Sequence, residues 1–224
     1  MQSMRVQSGA TQNAAVTTAG KMFSFAEALD LPGFSMRFDR DEEIFGESES
    51  ADFVYKVVSG AARGFRILSD GRRQITGFHL PGDVFGLETG GEHRSSAEAI
   101  VESEIVLVRR TAVDRLADAS VPAARGLWAL TAGDLDRLRD HMMLLGRKSA
   151  TERVASFLLE MAVRAPAERG TDLPMSRSDI ADYLGLTIET VSRTLTQLER
   201  DHAISIPSAR HIVLNDRAAL GLAD

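Results

Sequence analysis

Four hydrogen-bonding side chains recur at helical spacing in the C-terminal part of the chain. They occupy positions i, i+3, i+4 and i+7 and are Glu189, Ser192, Arg193 and Thr196. A helix places residues with this spacing on one face. An arginine can pair with O6 and N7 of guanine, a glutamate can accept a hydrogen bond from N4 of cytosine, and a serine can donate or accept. We therefore predict that this base-contact stripe meets DNA bases in a major groove, with Arg193 on a guanine and Glu189 on a cytosine of the same or the adjacent pair.

The base-contact stripe lies on the second of two short helices that the sequence predicts within residues 176–200. Gly185 ends the first helix, because glycine readily takes the positive φ of a sharp turn, and Thr187 offers an oxygen that caps the second. The apolar residues predicted to be buried are Ile180, Ala181 and Leu184 on the first helix and Ile188, Val191, Leu195 and Leu198 on the second. This pattern indicates a helix-turn-helix. The alternative is an ordinary helical hairpin whose polar face contacts only water.

The segment RSDIADYLGLTIETVSRTL, residues 177–195, resembles the helix-turn-helix of the CRP/FNR superfamily of bacterial transcription regulators. The run ETVSR at 189–193 is similar to the FNR/FixK branch of that superfamily. The resemblance implies half-sites such as TTGA and TCAA separated by about six base pairs, one helical turn between their centres. It also implies target genes for low-oxygen respiration and nitrogen metabolism. Nucleotide-responsive CRP-type members carry an arginine at the position of Ile188, so the isoleucine argues against a CRP-type DNA site.

Phosphate contacts are predicted from position alone, through hydroxyls, helix N-termini or a cation on the wing. The predicted residues are Ser176, Arg177, Thr187, Thr190 and Arg210. From residue 176 onward the chain carries five arginines, no lysine and seven acids, a formal charge of −2. DNA-binding domains usually present a basic surface. We therefore expect low affinity for nonspecific DNA.

Residues 34–110 have the pattern of short strands separated by turns. The candidate strands are 35–38, 43–45, 53–58, 61–68, 72–78, 95–100 and 104–109. Turn signals such as Asp70-Gly71 separate them, and many short strands of this kind predict a double-sheet roll or barrel. The segment LPGDVFG at 80–86 resembles the glycine turn of the cyclic-nucleotide-binding fold, the sensor domain of CRP/FNR proteins, and residues 57–61 fit an earlier strand and turn of that fold.

Two helices are predicted after the strands, a short one at 111–116 and a long one at 122–147. Apolar and small residues on the long helix step alternately by three and four, which is a heptad pattern. The predicted seam comprises Trp128, Thr131, Leu135, Leu138, Met142 and Leu145, followed by Ser149. CRP/FNR proteins place a dimer coiled coil here, and we adopt that interpretation. The alternative is a helix that packs only on its own domain.

The segment after the long helix completes a winged helix-turn-helix. Gly146-Arg147-Lys148 is the predicted hinge, and Ser149 with Glu152 forms a capping box that opens another helix. Residues 165–171 are predicted to be a polar loop, and residues 203–206 and 211–214 to be a β-wing hairpin.

The roll lacks most of what a cyclic nucleotide would require. The family's pocket uses a Gly-Glu pair for the ribose and an Arg-Ser pair for the phosphate, whereas here Leu87 separates Gly86 from Glu88. Arg94-Ser95 is a partial phosphate motif. Haem ligation by His79 or His93 is conceivable, but a lone histidine of this kind is usually structural. We expect a sensor-like domain without a small ligand or cofactor; the alternative is a member gated by a cyclic nucleotide, a haem ligand or another metabolite.

Composition narrows the class of protein further. The 224 residues are 44% hydrophobic and 26% charged, which suits one or two globular domains. The absence of cysteine excludes disulfides and cysteine-ligated iron–sulfur clusters. No apolar run is long enough to span a membrane and no export signal is visible, so we expect a cytoplasmic protein. The net charge of −6 argues against general coating of nucleic acid.

The sequence thus predicts an α+β fold with a cyclic-nucleotide-binding-like β-roll, a long dimerisation helix and a C-terminal winged helix-turn-helix. The predicted domains are a mobile arm at 1–22, the roll at 23–120 with a short helix at 23–29, the dimerisation helix at 121–147 and the DNA-binding domain at 148–224. The predicted function is that of a homodimeric activator that binds a TTGA-N6-TCAA-like palindrome and contacts RNA polymerase. Residues such as Asp83, His93 and Ser95 lack the strand–nucleophile–helix context of a catalytic site, so no enzymatic activity is expected.

Overall fold

The computed structural model describes residues 33–168 and 170–221. The arm predicted at 1–22 and the short helix predicted at 23–29 lie outside these residues. The first part of the described chain is a β-roll. Its strands are β1 Phe34–Phe38, β2 Glu43–Phe45, β3 Phe53–Ser59, β4 Ala62–Ile67, β5 Arg73–His79, β6 Val84–Phe85, β7 Ser96–Ala99 and β8 Ser103–Arg109.

The eight strands form two antiparallel four-stranded sheets, in the orders β1-β8-β3-β6 and β2-β7-β4-β5. Their facing sides enclose an apolar core in which Val57, Ala62 and Ile105 are fully buried. The rings of Phe45 and Phe85 pack in the same core, 6.1 Å between their centroids. Along β8 buried and partly buried residues alternate from Ser103 to Leu107, which places Ile105 and Leu107 in this core. All seven predicted strands are present, and the predicted fold class is confirmed.

Strand β6 is present in the structure, although the sequence did not predict it. Its two residues were predicted as part of a glycine turn, but they pair with β3 through Tyr55 opposite Phe85 and Lys56 opposite Val84. Gly86 ends this strand with φ +77°, and a side chain there would collide with the ring of Tyr55. The glycine is therefore required both by the backbone conformation and by the close approach of the tyrosine.

Three helices follow the roll: α1 Arg110–Ala119, α2 Val121–Arg147 and α3 Ala150–Arg164. The 27-residue α2 begins with the Ser120 side chain as its cap and a proline in its first turn. The predicted capping box is present at the start of α3, where Ser149 accepts from the backbone N–H of Glu152 and the Glu152 carboxylate accepts from the backbone N–H of Ser149. The helix boundaries therefore follow from local capping chemistry.

The C-terminal part contains the two helices of the helix-turn-helix, α4 Arg177–Leu184 and α5 Ile188–Arg200, and a short final helix, α6 Arg217–Gly221. A four-stranded sheet accompanies them, in the order β11-β12-β10-β9, with β9 Pro166–Ala167, β10 Gly170–Asp172, β11 Ile204–Ser205 and β12 His211–Leu214. The predicted wing is thus one half of a larger sheet.

The interpretation of residues 165–171 as a polar loop was wrong. The segment contains β9 and pairs through β10 with the wing, with Thr171 opposite Ile212. Thr171 is fully buried, and its hydroxyl lies 2.7 Å from the carbonyl oxygen of Ala165 and 3.1 Å from that of Met161. The segment looked like a polar loop because threonine is a polar residue. In the structure, however, the threonine hydroxyl donates to carbonyl oxygens at the end of α3 and does not need water as a partner.

The largest apolar cluster joins the roll to the helix-turn-helix. Phe78 of β5 packs on Phe157 of α3 and on Tyr183 of α4, with ring centroids 6.2 Å and 5.2 Å away. The Arg164 guanidinium also donates to the carbonyl oxygen of Phe78 and to the Asp83 carboxylate, both at 2.7 Å. The roll and the C-terminal part therefore share one continuous core.

A single arginine fixes the junction between α2 and α3. The guanidinium of Arg153 donates to the carbonyl oxygens of Leu145 at 2.7 Å, Lys148 at 2.9 Å and Leu184 at 3.0 Å. These carbonyls belong to the end of α2, the hinge and the end of α4, where helix carbonyls lack partners within their own helix. The arginine therefore ties the predicted hinge to the first helix of the helix-turn-helix.

Two glycines with positive φ allow a matched test of the roll. Gly60 (φ +81°) lies so close to Ser103 and the carbonyl oxygen of Glu102 that an added Cβ would collide, whereas Gly71 (φ +84°) has open space around it. Both Ala variants incur the left-handed backbone penalty of about 1–2 kcal/mol. Gly60→Ala should lose a further ~1–3 kcal/mol of unfolding free energy through overpacking. Urea denaturation of the two variants measures the difference, and equal losses would contradict the close packing of this turn.

Candidate nucleic-acid interface

The second helix of the helix-turn-helix has one buried and one exposed face. Val191, Leu195 and Leu198 of α5 are buried in the shared core, as predicted. The inclusion of Ile188 in the buried stripe was wrong, because this residue is 43% exposed. It is the first residue of α5, directly after the capping residue, and so it projects beyond the contact with α4. An exposed isoleucine at this end presents an apolar surface to whatever α5 meets.

All four residues of the base-contact stripe are exposed. Within the part of the chain that the structure describes, no hydrogen bond or ion pair engages the Arg193 guanidinium, so its donors are available to a partner. Hydrogen bonds from its own backbone N–H and from the Thr187 hydroxyl lower the pKa of Glu189, which keeps this carboxylate ionised and able to accept. The Thr196 hydroxyl donates to the carbonyl oxygen of Ser192 at 3.0 Å and keeps its acceptor side.

Two of the predicted phosphate ligands serve first as helix caps. Ser176 caps α4 and accepts from the backbone N–H of Asp179 at 3.1 Å, while its hydroxyl donates to the Asp179 carboxylate at 2.7 Å. Thr187 caps α5 and accepts from the backbone N–H of Thr190 at 3.2 Å. The hydroxyls of Thr187 and Thr190 also bond to each other at 3.2 Å. Their main structural effect is to set where the two helices begin.

The two predicted arginine ligands for phosphate differ in their surroundings. Arg177 is half-buried and donates to the carbonyl oxygen of Ala209 in the wing turn at 3.4 Å, and burial lowers the pKa of its guanidinium. Its Nη1 has no hydrogen-bond partner among the described residues. Arg210 is exposed on the same wing. Arg177 thus connects α4 to the wing and keeps one unsatisfied donor, while the carbonyl oxygen of Arg210 accepts from the backbone N–H of Leu173.

The negative charge of the helix-turn-helix is partly neutralised by the roll. Asp179 and Asp182, the two acids of α4, pair with Arg63 and Arg73 of strands β4 and β5 at distances of 2.8–2.9 Å. Because both carboxylates are paired with guanidinium groups, they repel a phosphate backbone less than unpaired carboxylates would. Neither arginine was predicted, because more than a hundred positions separate them from their partners and no local pattern marks them.

The predicted dimer seam forms an exposed apolar stripe on α2. Trp128 is 76% exposed and Leu138 is 56% exposed, and Leu135 and Met142 are also exposed, as is Thr131. Leu145 differs from them, because it is half-buried and packs against the core of its own chain. The stripe supplies several large apolar side chains that the chain itself leaves uncovered, as an interaction surface does.

A cavity of ≈ 950 Å³ lies between the roll, α2 and α3. It contains the partial phosphate motif Arg94-Ser95 and also Glu88, whose carboxylate lies 3.1 Å from Nδ1 of His93. The ring of His93 stacks on Phe45, with 3.6 Å between centroids. His79 stacks on a second ring of the roll, and burial lowers its pKa to about 4. Both histidines that were considered as haem ligands are therefore packed among aromatic side chains.

No helix within residues 33–168 and 170–221 combines the length and the apolar composition that crossing a bilayer requires.

Two family models match this chain. One describes a Crp-like helix-turn-helix domain and matches residues 152–222; the other describes a cyclic nucleotide-binding domain and matches residues 35–120. The first covers the helix-turn-helix and its wing, and the second covers the roll and α1. The prediction of a helix-turn-helix of the CRP/FNR superfamily is confirmed.

Curated relatives and a solved structure point to the same branch. The nitrogen fixation regulation protein FixK of Azorhizobium caulinodans is 50% identical over 200 residues, which are 87% of this chain and 81% of that protein. FixK of Rhizobium meliloti is 44% identical over 179 residues, 80% of this chain and 81% of that protein. The structure of FixK2 from Bradyrhizobium japonicum superposes with a TM-score of 0.84 at 54% identity, covering 87% of this chain and 98% of that one.

Proposed function

This chain belongs to the CRP/FNR family of transcription regulators, in its FixK-like branch, and from that premise we propose that two copies of it bind a TTGA-N6-TCAA-like palindrome without a small-molecule effector. It has a helix-turn-helix DNA-binding domain and is not an enzyme. The observation that supports base recognition most directly is the unpaired Arg193 guanidinium on the exposed face of α5. Arginine is the side chain that most often pairs with guanine in a major groove.

The base contacts divide among the four residues of the stripe according to their chemistry. Arg193 pairs with a guanine of the half-site, and Glu189, one helical turn before it, accepts from a cytosine of the same or the adjacent pair. Ser192 and Thr196 extend the contact along the groove. Ser176, Thr187, Thr190, Arg177 and Arg210 surround the stripe and contact phosphates, the first three from helix N-termini that favour anions.

The apolar stripe on α2 supports the proposed homodimer. A palindrome requires two recognition helices related by a two-fold axis, and a parallel pair of α2 helices supplies one. Trp128, Thr131, Leu135, Leu138 and Met142 would become buried in such a pair, and Leu145 would contribute from the edge. The heptad pattern matches the period at which two helices keep one seam in contact.

The roll acts in this proposal as a scaffold that needs no ligand. Glu88 places a carboxylate in the cavity where a cyclic nucleotide would bring its own negative charge, and His93 holds that carboxylate in place. The roll also provides a surface for RNA polymerase, since the regulator is proposed to activate transcription. Its targets would be genes of nitrogen metabolism and low-oxygen respiration, and it would work in the cytoplasm with the chromosome.

A ligand-gated regulator is the second candidate, and the cavity is the observation that favours it. Arg94 lies in the cavity wall and is exposed, so its guanidinium could meet an anionic ligand. A member of this kind would bind DNA tightly only after its ligand had bound.

The dimer can be tested by placing a charge in the seam. Leu138→Asp should yield monomers and weaken palindrome binding at least tenfold, because an unpaired carboxylate would be buried between two α2 helices. Sedimentation equilibrium and anisotropy with labelled DNA measure the two effects. Val163→Asp is the matched control, since Val163 is an exposed apolar residue of α3 outside the seam. A Leu138→Asp variant that still sediments as a dimer would refute the seam.

Base recognition can be separated from phosphate contact with two arginine variants. Arg193→Ala should cost about 1–3 kcal/mol per half-site and relax the preference at one base pair, because it removes a bidentate contact to guanine. Arg210→Ala should weaken binding to all sequences alike and lower the slope of log affinity against log salt by about 1. Competition with single-base variants of the palindrome at two salt concentrations measures both. Equal loss by Arg193→Ala on every DNA sequence would make this residue a phosphate ligand.

A further inference from the structure

The Asp179 carboxylate in the first turn of α4 bonds to two separate parts of the molecule. Its Oδ2 accepts from the backbone N–H of Ser176 at 2.9 Å and from the Ser176 hydroxyl at 2.7 Å, which closes the capping box of α4. Its Oδ1 accepts from Arg63 Nη1 and from Arg73 Nη2, each at 2.8 Å. The residue that starts the first helix of the helix-turn-helix is therefore also the residue that the roll holds.

The two arginines are themselves fixed within the roll. They stand on the paired strands β4 and β5, and the Nε of Arg63 also donates to Glu98 of neighbouring β7 at 2.7 Å. Arg73 reaches the next turn of α4, where it donates to Asp182 at 2.9 Å. One sheet of the roll thus presents two guanidinium groups to the start and the middle of α4.

Uncharged contacts continue this docking surface. The side-chain amide of Gln74, next to Arg73 on β5, donates to the backbone carbonyl of Asp182 at 2.8 Å. Phe78, on the same strand, packs against Tyr183. Strand β5 therefore contacts α4 along most of its length, with the ion pairs at one end and the aromatic pair at the other.

Burial of these charged groups restricts the positions that α4 can take relative to the roll. The side chains of Asp179 and Arg63 are 4% and 9% exposed. If α4 rotated or slid, Asp179 would lose both guanidinium partners in a poorly solvated position, whereas Arg63 would keep its pairing with Glu98 within the roll. An unpaired buried charge is strongly unfavourable, whereas the pair itself adds little net stability, so the effect of such a network is on position more than on stability. Because α4 and α5 pack in one core, the position of the base-contact stripe follows that of α4.

We propose that Arg63 and Arg73 are positioning residues for DNA recognition: through Asp179 they hold the helix-turn-helix at one offset from the roll and from α2. This rests on the proposed effector-free function and explains it. In a dimer, the two recognition helices then keep the separation that a six-base-pair spacer requires, without a ligand to set it. The roll takes the role that an effector has in a ligand-gated regulator.

The test uses the full-length protein and compares DNA spacers. The Arg63→Gln/Arg73→Gln variant removes both charges without touching the DNA-contact residues. Arg66→Gln is the matched control, because Arg66 also lies on β4 but pairs with Glu47 of the roll at an exposed position. Anisotropy is measured without effector on TTGA-N6-TCAA, on spacers of five and seven base pairs, and on DNA of equal length with one half-site scrambled.

Wild type and Arg66→Gln should bind the six-base-pair spacer best. The double variant should bind the six-base-pair spacer with an affinity lowered roughly tenfold or more, and it should discriminate less between spacers. Its affinity for the single half-site should stay within about twofold of wild type. Arg63→Lys/Arg73→Lys, which keeps the charges, should restore part of the preference. Circular dichroism checks folding, and sedimentation checks dimerisation. If the double variant unfolds, the single variant Arg73→Gln replaces it, because Arg73 lies at the partly exposed edge of the network.

The possible outcomes separate this inference from the proposed function. An unchanged spacer preference in the double variant would overturn the positioning role. Tighter binding to the six-base-pair spacer would also overturn it and would make the contact inhibitory. An equal loss on the palindrome and on the single half-site would show damage to the helix-turn-helix itself, again against the proposal. If wild type fails to bind the palindrome without effector, the proposed function fails first.

Discussion

The ion pairs between Asp179 and the two arginines of the roll constrain where the helix-turn-helix can lie. Four charged side chains, Arg63, Arg73, Asp179 and Asp182, meet at the surface where β4 and β5 face α4. Groups of this kind tolerate little displacement, because each lost partner leaves a charge with poor solvation. The apolar contact of Phe78 with Tyr183 seals the same surface on one side. In the positioning role proposed for the two arginines, these contacts with α4 fix the direction in which the exposed stripe of α5 is presented.

The same contacts bear on how an acidic chain can recognise DNA. The chain has a formal charge of −6, and the part from residue 176 onward has a formal charge of −2. The two acids of α4 face the roll, so the surface near the stripe is less negative than this count implies. The arginines proposed for DNA are Arg193 on the recognition helix, Arg177 at the start of α4 and Arg210 on the wing. A regulator with so few cations gains little affinity from nonspecific phosphate contacts and depends on base contacts made by a small number of side chains.

Local sequence signals predicted much of this structure. Capping residues such as Ser149 and Thr187 marked helix starts, Gly185 marked a helix end, and turn signals such as Asp70-Gly71 separated the strands of the roll. The signals failed where a residue's partner lies far along the chain: Thr171 looked like part of a polar loop because nothing nearby shows that α3 accepts its hydroxyl. Arg63 looked like any charged strand residue for the same reason. The site residues on α5 could be predicted from the sequence because they share one helix. The contacts that orient that helix could not be predicted, because they join distant parts of the chain.

Selection from random DNA would show whether this protein recognises a palindrome without an effector. Purified protein is incubated with a random library without added nucleotide, and the bound fragments are sequenced. We expect enrichment of TTGA-N6-TCAA-like sites, with affinities that cyclic AMP leaves unchanged. Absence of a palindrome would refute effector-free recognition, and a tenfold tightening by cyclic AMP, equal to about 1.4 kcal/mol of coupling, would favour a ligand-gated regulator.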